Sequence, residues 1–417
     1  MALTKPKSRW LTYIAPFKGA KERSVKDKLS DKVSVTDFAD LLKAADFIGT
    51  SETPVTIDFP AGSYEGDFML KSGNRMVGAG SQATVLTTVG VKYDSKPVRG
   101  SELSRMTITA KQPSTGNGLD GADKSMVNCR LSDIYINNFD VGYKAGATDF
   151  SCTFDNVRVN SCRINFDLTG QGGIIQNTFN NCYSSAASEL GMKLAGVSGL
   201  VFNGFNSGST GGRHLEIGLN SKAVIFNAPN FEQDAGELGR NKAAVTVLSG
   251  SEVTFNSPTF VNIAATTGST DTYLMRVQDS AVVYINAPVV KGNNPDIKHL
   301  YVAGNAVVYL NDPNGAFSKI DRYGSARVVN VSKVDNAPDF IGIKNVKSGD
   351  TVDFGWHPKF LTATPDFHSS TVPNPFKYAV HFDTFGSKTA SARVIDTTTG
   401  SAVVGVTLPV LIQAWKG

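Results

Sequence analysis

AVIFNAPNF (residues 223–231) is followed by EVTFNSPTF (252–260), AVVYINAPVV (281–290) and AVVYLNDPN (306–314). Each stretch is a β-branched and aromatic run closed by Asn-x-Pro, which reads as a strand and then a turn. The aromatic with a nearby Asn recurs as Phe154 with Asn156, Phe179 with Asn180, Phe202 with Asn203, Phe226 with Asn227, Phe255 with Asn256, Tyr284 with Asn286 and Tyr309 with Asn311. The steps between these aromatics are 25, 23, 24, 29, 29 and 25 residues. Periods of this size mark a solenoid. Gly and Asn corners make it one of short β segments. One turn of a parallel β-helix needs about this many residues, with coils stacked about 4.8 Å apart.

The chain has 417 residues, enough for one large core and satellites. Charged residues are 19% and glycines number 40, which fits an all-β chain dense in turns. A formal charge of +4 is small for this length, and no Lys/Arg run alternates with aromatics, so no nucleic-acid partner is expected. No apolar run is long enough to span a bilayer, so no membrane insertion is expected. LTYIAPF (11–17) is too short and polar for a signal-peptide core, so synthesis and folding in a cytoplasm are expected. Cys129, Cys152, Cys162 and Cys182 lack a C-x-x-C pair or a nearby His, so they read as buried thiols and no metal is expected.

Residues 1–30 are polar and basic and form an arm, either for docking or merely solvated. Residues 31–54 hold a neck and a helix, with Phe38, Leu41, Leu42 and Ala45 at helical spacing. Such a helix would cap the open end of the first coil. Gly78-Ala79-Gly80 imitates a dinucleotide fingerprint, but strand patterns follow it rather than a helix, so no cofactor is expected. Coils run over 55–333. From residue 334 longer alternating strands suit an antiparallel β-sandwich to residue 417.

The opening residues resemble a known family. MALTK (Met1–Lys5), RSVKDKLSDKVSVTDF (Arg23–Phe38), Phe59-Pro60-Ala61-Gly62-Ser63-Tyr64 and Gly78–Gly80 are similar to the leader and first coil of bacteriophage tailspikes. The usual glycine after Asp-Phe is Ala39 here, and a Gly-Asp-Gly that often follows is missing. The resemblance covers the first 90 residues well and the rest in outline. It implies a homotrimer of right-handed parallel β-helices; with the helix and strands read above, the expected fold is all-β, with an N-terminal capping helix and a C-terminal β-sandwich that resembles the trimerising or sugar-binding tips of such spikes. The resemblance further implies a place on the virion tail, an N-terminal partner in the tail or baseplate, and a bacterial surface polysaccharide (capsule, O-antigen or exopolysaccharide) as ligand. A solenoid with one apolar outer stripe also asks for a partner to bury it.

Glycan cleavage by hydrolysis needs two carboxyl groups, about 5–5.5 Å or 6.5–9.5 Å apart. Stacked coils offer roughly 5 Å, and positions i and i+2 of one strand roughly 6–7 Å. Glu232 and Asp234 in NFEQDAGELGRN (230–241) have the second relation and are the first candidates. Phe231 beside them is a candidate for stacking on a sugar, and Arg240 for binding it. Glu189 and Glu216 are the next carboxylates. Arg213 and His214 in GGRHLEIG, Tyr183 and Tyr273 complete the binding candidates. An endoglycosidase is the expectation. Arg213, His214 and Tyr183 leave a polysaccharide lyase open, and the modest acid content leaves open a receptor-binding or structural spike without enzymatic activity. A free bacterial enzyme is a further rival.

Overall fold

The computed structural model describes residues 54–331, except 95–96, 122–123, 209–212, 219, 234–241, 265–270 and 294, together with residues 12–13, 23–24, 32–35 and the strands of the last 80 residues. The chain divides into two compact units, Met1–Val331 and Ser332–Gly417.

The first unit is a right-handed parallel β-solenoid of three sheets. One coil shows the pattern. Val201–Asn203 lies in the first sheet, Asn206–Gly208 in the second and Arg213–Gly218 in the third. The next coil repeats it with Val224–Asn227, Asn230–Glu232 and Ala243–Val247, each in parallel register with its predecessor. The third sheet has eleven strands. The ladder of the first sheet starts at Lys32–Ser34, paired with Thr56–Phe59 and so upstream of the boundary expected at residue 55. The expected helix over Phe38–Ala45 and most of the arm over 1–30 lie outside the described residues. Gly78 ends a strand, and the next element, Thr84–Thr88, is a strand as well.

Parallel, in-register coils place like residues on like. Phe154, Phe179, Phe202, Phe226 and Phe255 stack inside the solenoid, with ring centres 4.3, 4.6, 4.4 and 5.2 Å apart. Outside the same strands, side-chain amides form a second ladder. Asn180 donates to Asp155, Asn203 to Asn180, Asn227 to Asn203, Asn256 to Asn227 and Asn286 to Asn256, at 2.7–2.9 Å. An amide both donates and accepts, so each Asn satisfies the coils above and below it. The residue after each Asn turns the corner in the left-handed region, at φ 65 for Gly204, 48 for Ala228, 51 for Ser257 and 47 for Ala287. Its N–H donates to the Asn carbonyl of the next coil, as Ala228 does to Asn256 at 2.8 Å.

Two members of the repeat need correction. Asp155, not Asn156, heads the amide ladder, because Asn156 is itself the corner residue, at φ 52. Phe255 is level with Ile285, and Tyr284 with Thr254, so the aromatic changes face. A one-residue slip in a strand moves a side chain to the opposite face. Ile285 continues the inner stack, while Tyr284 and Tyr309 stack outside at 4.9 Å. They extend an outward file of Val201, Ile225 and Thr254, all half-buried.

The four cysteines are buried free thiols. Burial pushes Cys162 and Cys182 up to about 12.

Among its described residues, the second unit has two three-stranded antiparallel sheets. One is ordered Phe340–Lys347, Thr407–Lys416, Pro358–Pro365, the other Thr351–Asp353, Thr389–Asp396, Tyr378–Phe382. Val380 and Val394 are buried partners in the second.

Candidate functional site

Coil length varies chiefly where the second sheet passes to the third. The first-to-second corner keeps two residues, as at 204–205, 228–229 and 257–258. The second-to-third connection grows from four residues (186–189) to ten (233–242) and eleven (262–272). The extra residues of the 29-residue coils are therefore spent at one corner.

A groove of about 450 Å³ opens beside that corner on the third sheet, lined in part by Glu189, Arg213, Glu216, Lys242, Thr246 and Arg276. Glu189 ends the connection before Leu190–Ser198, and its carboxylate accepts from Arg163 at 2.5 Å. Arg163 is held in turn by Asp140 at 2.8 Å. Glu216 lies mid-strand and forms an ion pair with Arg213. Leu190 is level with Arg213, so Glu189 sits one coil below Glu216 and four strand positions back.

Aromatic rings continue from the groove. The Arg276 guanidinium lies 4.7 Å from the Tyr301 ring centre and 5.4 Å from that of Tyr273. Tyr301 packs on Tyr273 at 5.1 Å and on Tyr323 at 5.2 Å. Tyr273 is itself buried, and its hydroxyl donates to Asp321 at 2.8 Å, as does Lys298 at 2.7 Å. Burial first, and then the Asp321 carboxylate, push the Tyr273 hydroxyl above its ordinary range. Lys298 holds the Asp321 carboxyl below its usual range. Tyr323 is 52% exposed and is the open end of this cluster.

Glu189, Glu216 and Arg213 are thus brought together, and Tyr273 lies next to Arg276. The other candidates fall elsewhere. Glu232 and Tyr183 are half-buried on the second sheet. There Glu232 is level with Gly208, and the Tyr183 hydroxyl lies over Gly208. Asn230 reaches Glu232 at 3.4 Å. Asp234 and Arg240 lie outside the described residues.

Phe231, His214 and Tyr273 are buried and cannot touch a ligand, and all three expectations are corrected. Phe231 is fully buried in the inner file, stacked on Phe260 at 5.3 Å, because its neighbours along the strand take the outward positions. His214 is equally closed off, with Nδ1 2.9 Å from the Ser207 hydroxyl and its ring against Phe231. Burial lowers its pKa to about 4. Folding therefore favours the neutral ring. Between the ordinary value of 6.5 and about 4 the unfolded chain holds more protons, so stability is lost as pH falls through that window. Unfolding at pH 7.5 and 4.5 is expected to differ by about 2–3 kcal/mol more in the parent than in His214→Gln. An equal difference in both would place the titration elsewhere.

Arg276, Tyr301, Tyr323, Lys298 and Asp321 were not singled out in the sequence. Their signal is the register itself, which sets Thr246, Arg276, Tyr301 and Asp321 in one file.

No family model and no curated protein matches the chain. Solved structures do. The tailspike gp42 of Acinetobacter phage vb_AbaP_AS12 is 14% identical with a TM-score of 0.55, over 93% of this chain and 82% of that one. The enzymatically active domain of tailspike protein 2 of bacteriophage CBA120 is 13% identical with a TM-score of 0.53, over 99% of this chain and 73% of that one. The chain has the parallel β-helix fold of phage tailspikes. In this chain the groove lies on the third sheet, beside the corner that carries the long connections.

Proposed function

We propose that the chain is a phage tailspike that binds a bacterial surface polysaccharide along the third sheet and cleaves it by endoglycosidic hydrolysis. The observation that carries this is the groove in which Glu189, Glu216 and Arg213 meet, continued through Arg276 by Tyr301 and Tyr323. Sugar rings offer an apolar face to an aromatic and hydroxyls to carboxylates and guanidinium groups, so a groove lined by such charged groups beside a ring platform suits a glycan chain. Glu216 and Glu189 act as the acid and base. Four strand positions and one coil step set their backbones roughly 14 Å apart. Their side chains can close this to the wider carboxyl separation, so inversion at the anomeric carbon is expected. Reducing ends released from a bound glycan test the reading. New ultraviolet absorbance from double bonds would instead mark a lyase, and binding without either product a spike that only recognises its receptor.

The chain is a homotrimer in this reading, attached to the tail or baseplate through its N-terminal residues. The half-buried outer file of Val201, Ile225, Thr254, Tyr284 and Tyr309 is the face a second copy covers. Light scattering is expected to give three times the chain mass of 44.4 kDa. Tyr284→Asp is expected to shift the particle toward single chains. A parent that remains a single chain at micromolar concentration would contradict the trimer.

A further inference from the structure

The outward file of the third sheet alternates in charge. Lys92, Asp120, Lys144, Asp167, Lys193 and Glu216 follow one another, one per coil. Opposite charges about 4.8 Å apart support each other across neighbouring strands, and Lys144 and Asp167 form an ion pair. The next coil breaks the alternation. Thr246 follows Glu216, and Arg276 follows Thr246. An acid and a guanidinium thus stand two coils apart, about 10 Å at the backbone, with only a short side chain between them. The groove opens at this break. Three cationic side chains, Arg213, Lys242 and Arg276, line it against two carboxylates, Glu189 and Glu216. Arg276 and the exposed Lys242 stand on the same rim.

We infer that the gap over Thr246 is a subsite for one acidic sugar residue of the polysaccharide. Its carboxylate meets Arg276 and Lys242, and its hydroxyls meet Glu216. The two ends of the gap match the two sides of such a ring, a carboxylate on one and hydroxyl donors on the other. About 450 Å³ is within the usual size of a small-ligand site, roughly 300–1,000 Å³. The inference rests on the polysaccharide reading and adds the charge of the sugar.

The test is an immobilised panel of purified bacterial polysaccharides. It holds glucuronate-bearing heparosan and xanthan, each also with its carboxyl groups reduced to hydroxymethyl, and neutral dextran and levan. The full-length protein is expected to bind a uronate-bearing member. Carboxyl reduction or Arg276→Gln should weaken that binding by about tenfold or more, the scale of a lost charge-assisted hydrogen bond. Thr246→Tyr puts a ring into the gap and should abolish binding; Thr246 is itself largely covered, so the unfolding midpoint is read alongside. If Thr246→Tyr does not fold, Arg276→Gln carries the test alone. Equal binding to native and reduced polysaccharide, or full binding by Arg276→Gln, would overturn the acidic subsite and leave the glycan reading intact. Binding to a neutral member only would do the same. Binding to no member would count against both.

Discussion

Glu216→Gln is expected to slow release of reducing ends by about 10² or more at saturating glycan, the usual worth of a positioned acid or base. The amide keeps the shape of the carboxyl and can still receive a hydrogen bond from Arg213, so glycan binding should fall much less than turnover. Glu216 faces outward from a strand whose inward residues, Leu215 and Ile217, remain in the core. The unfolding midpoint should therefore hold. Glu189→Gln should lose a similar factor, because the other member of the pair cannot take over its role. Glu232→Gln should turn over close to the parent rate, since Glu232 lies on the second sheet, level with Gly208. If Glu232→Gln is the variant that stops release while Glu216→Gln does not, the chemistry is on the second sheet, and Asp234 becomes its natural partner.

The largest effect on stability is expected from Phe202→Ala. Its ring is fully buried and lies 4.6 Å from Phe179 and 4.4 Å from Phe226, with Phe205 edge-on at 6.0 Å. Truncation removes the transfer energy of a whole ring and leaves a cavity that neighbours fixed by their own coils cannot fill. A loss of about 3–5 kcal/mol is typical for Phe→Ala in a core. Here two stacked contacts go as well, each worth roughly 0.5–1.5 kcal/mol. Tyr309→Ala, on the outer face, should cost far less in an isolated chain, because its ring is only half-buried. Denaturant midpoints, or unfolding rates where refolding fails, measure both. Equal losses from the two variants would mean that the inner stack does not carry the solenoid.

The fold was legible because a solenoid writes its geometry into the period. Phe179, Phe202, Phe226 and Phe255 recur at coil length, and each brings its Asn with it. The reading slipped at Tyr284, where an aromatic stands one position from the inner file and Ile285 takes the place of the ring. Residue type alone does not tell the two faces of a strand apart. The site was legible only in pieces. Glu189, Arg213 and Glu216 drew notice as charges in short segments, and the coil stacking brings them together. Phe231 and His214 misled because proximity in sequence to a carboxylate says nothing about which face a side chain takes. Phe231 alternates inward beside outward Glu232, and His214 inward beside Arg213. Arg276 and the tyrosines could be found only by aligning coils of unequal length. The ten- and eleven-residue connections hide that alignment from a fixed period.

A crystal structure of the protein with a bound oligosaccharide of its glycan tests the central claim most directly. Sugar density is expected along the third sheet, with one ring over Thr246 between Glu216 and Arg276 and the chain running on toward Tyr323. Density confined to the second sheet around Tyr183 and Glu232, or to the unit formed by Ser332–Gly417, would contradict it.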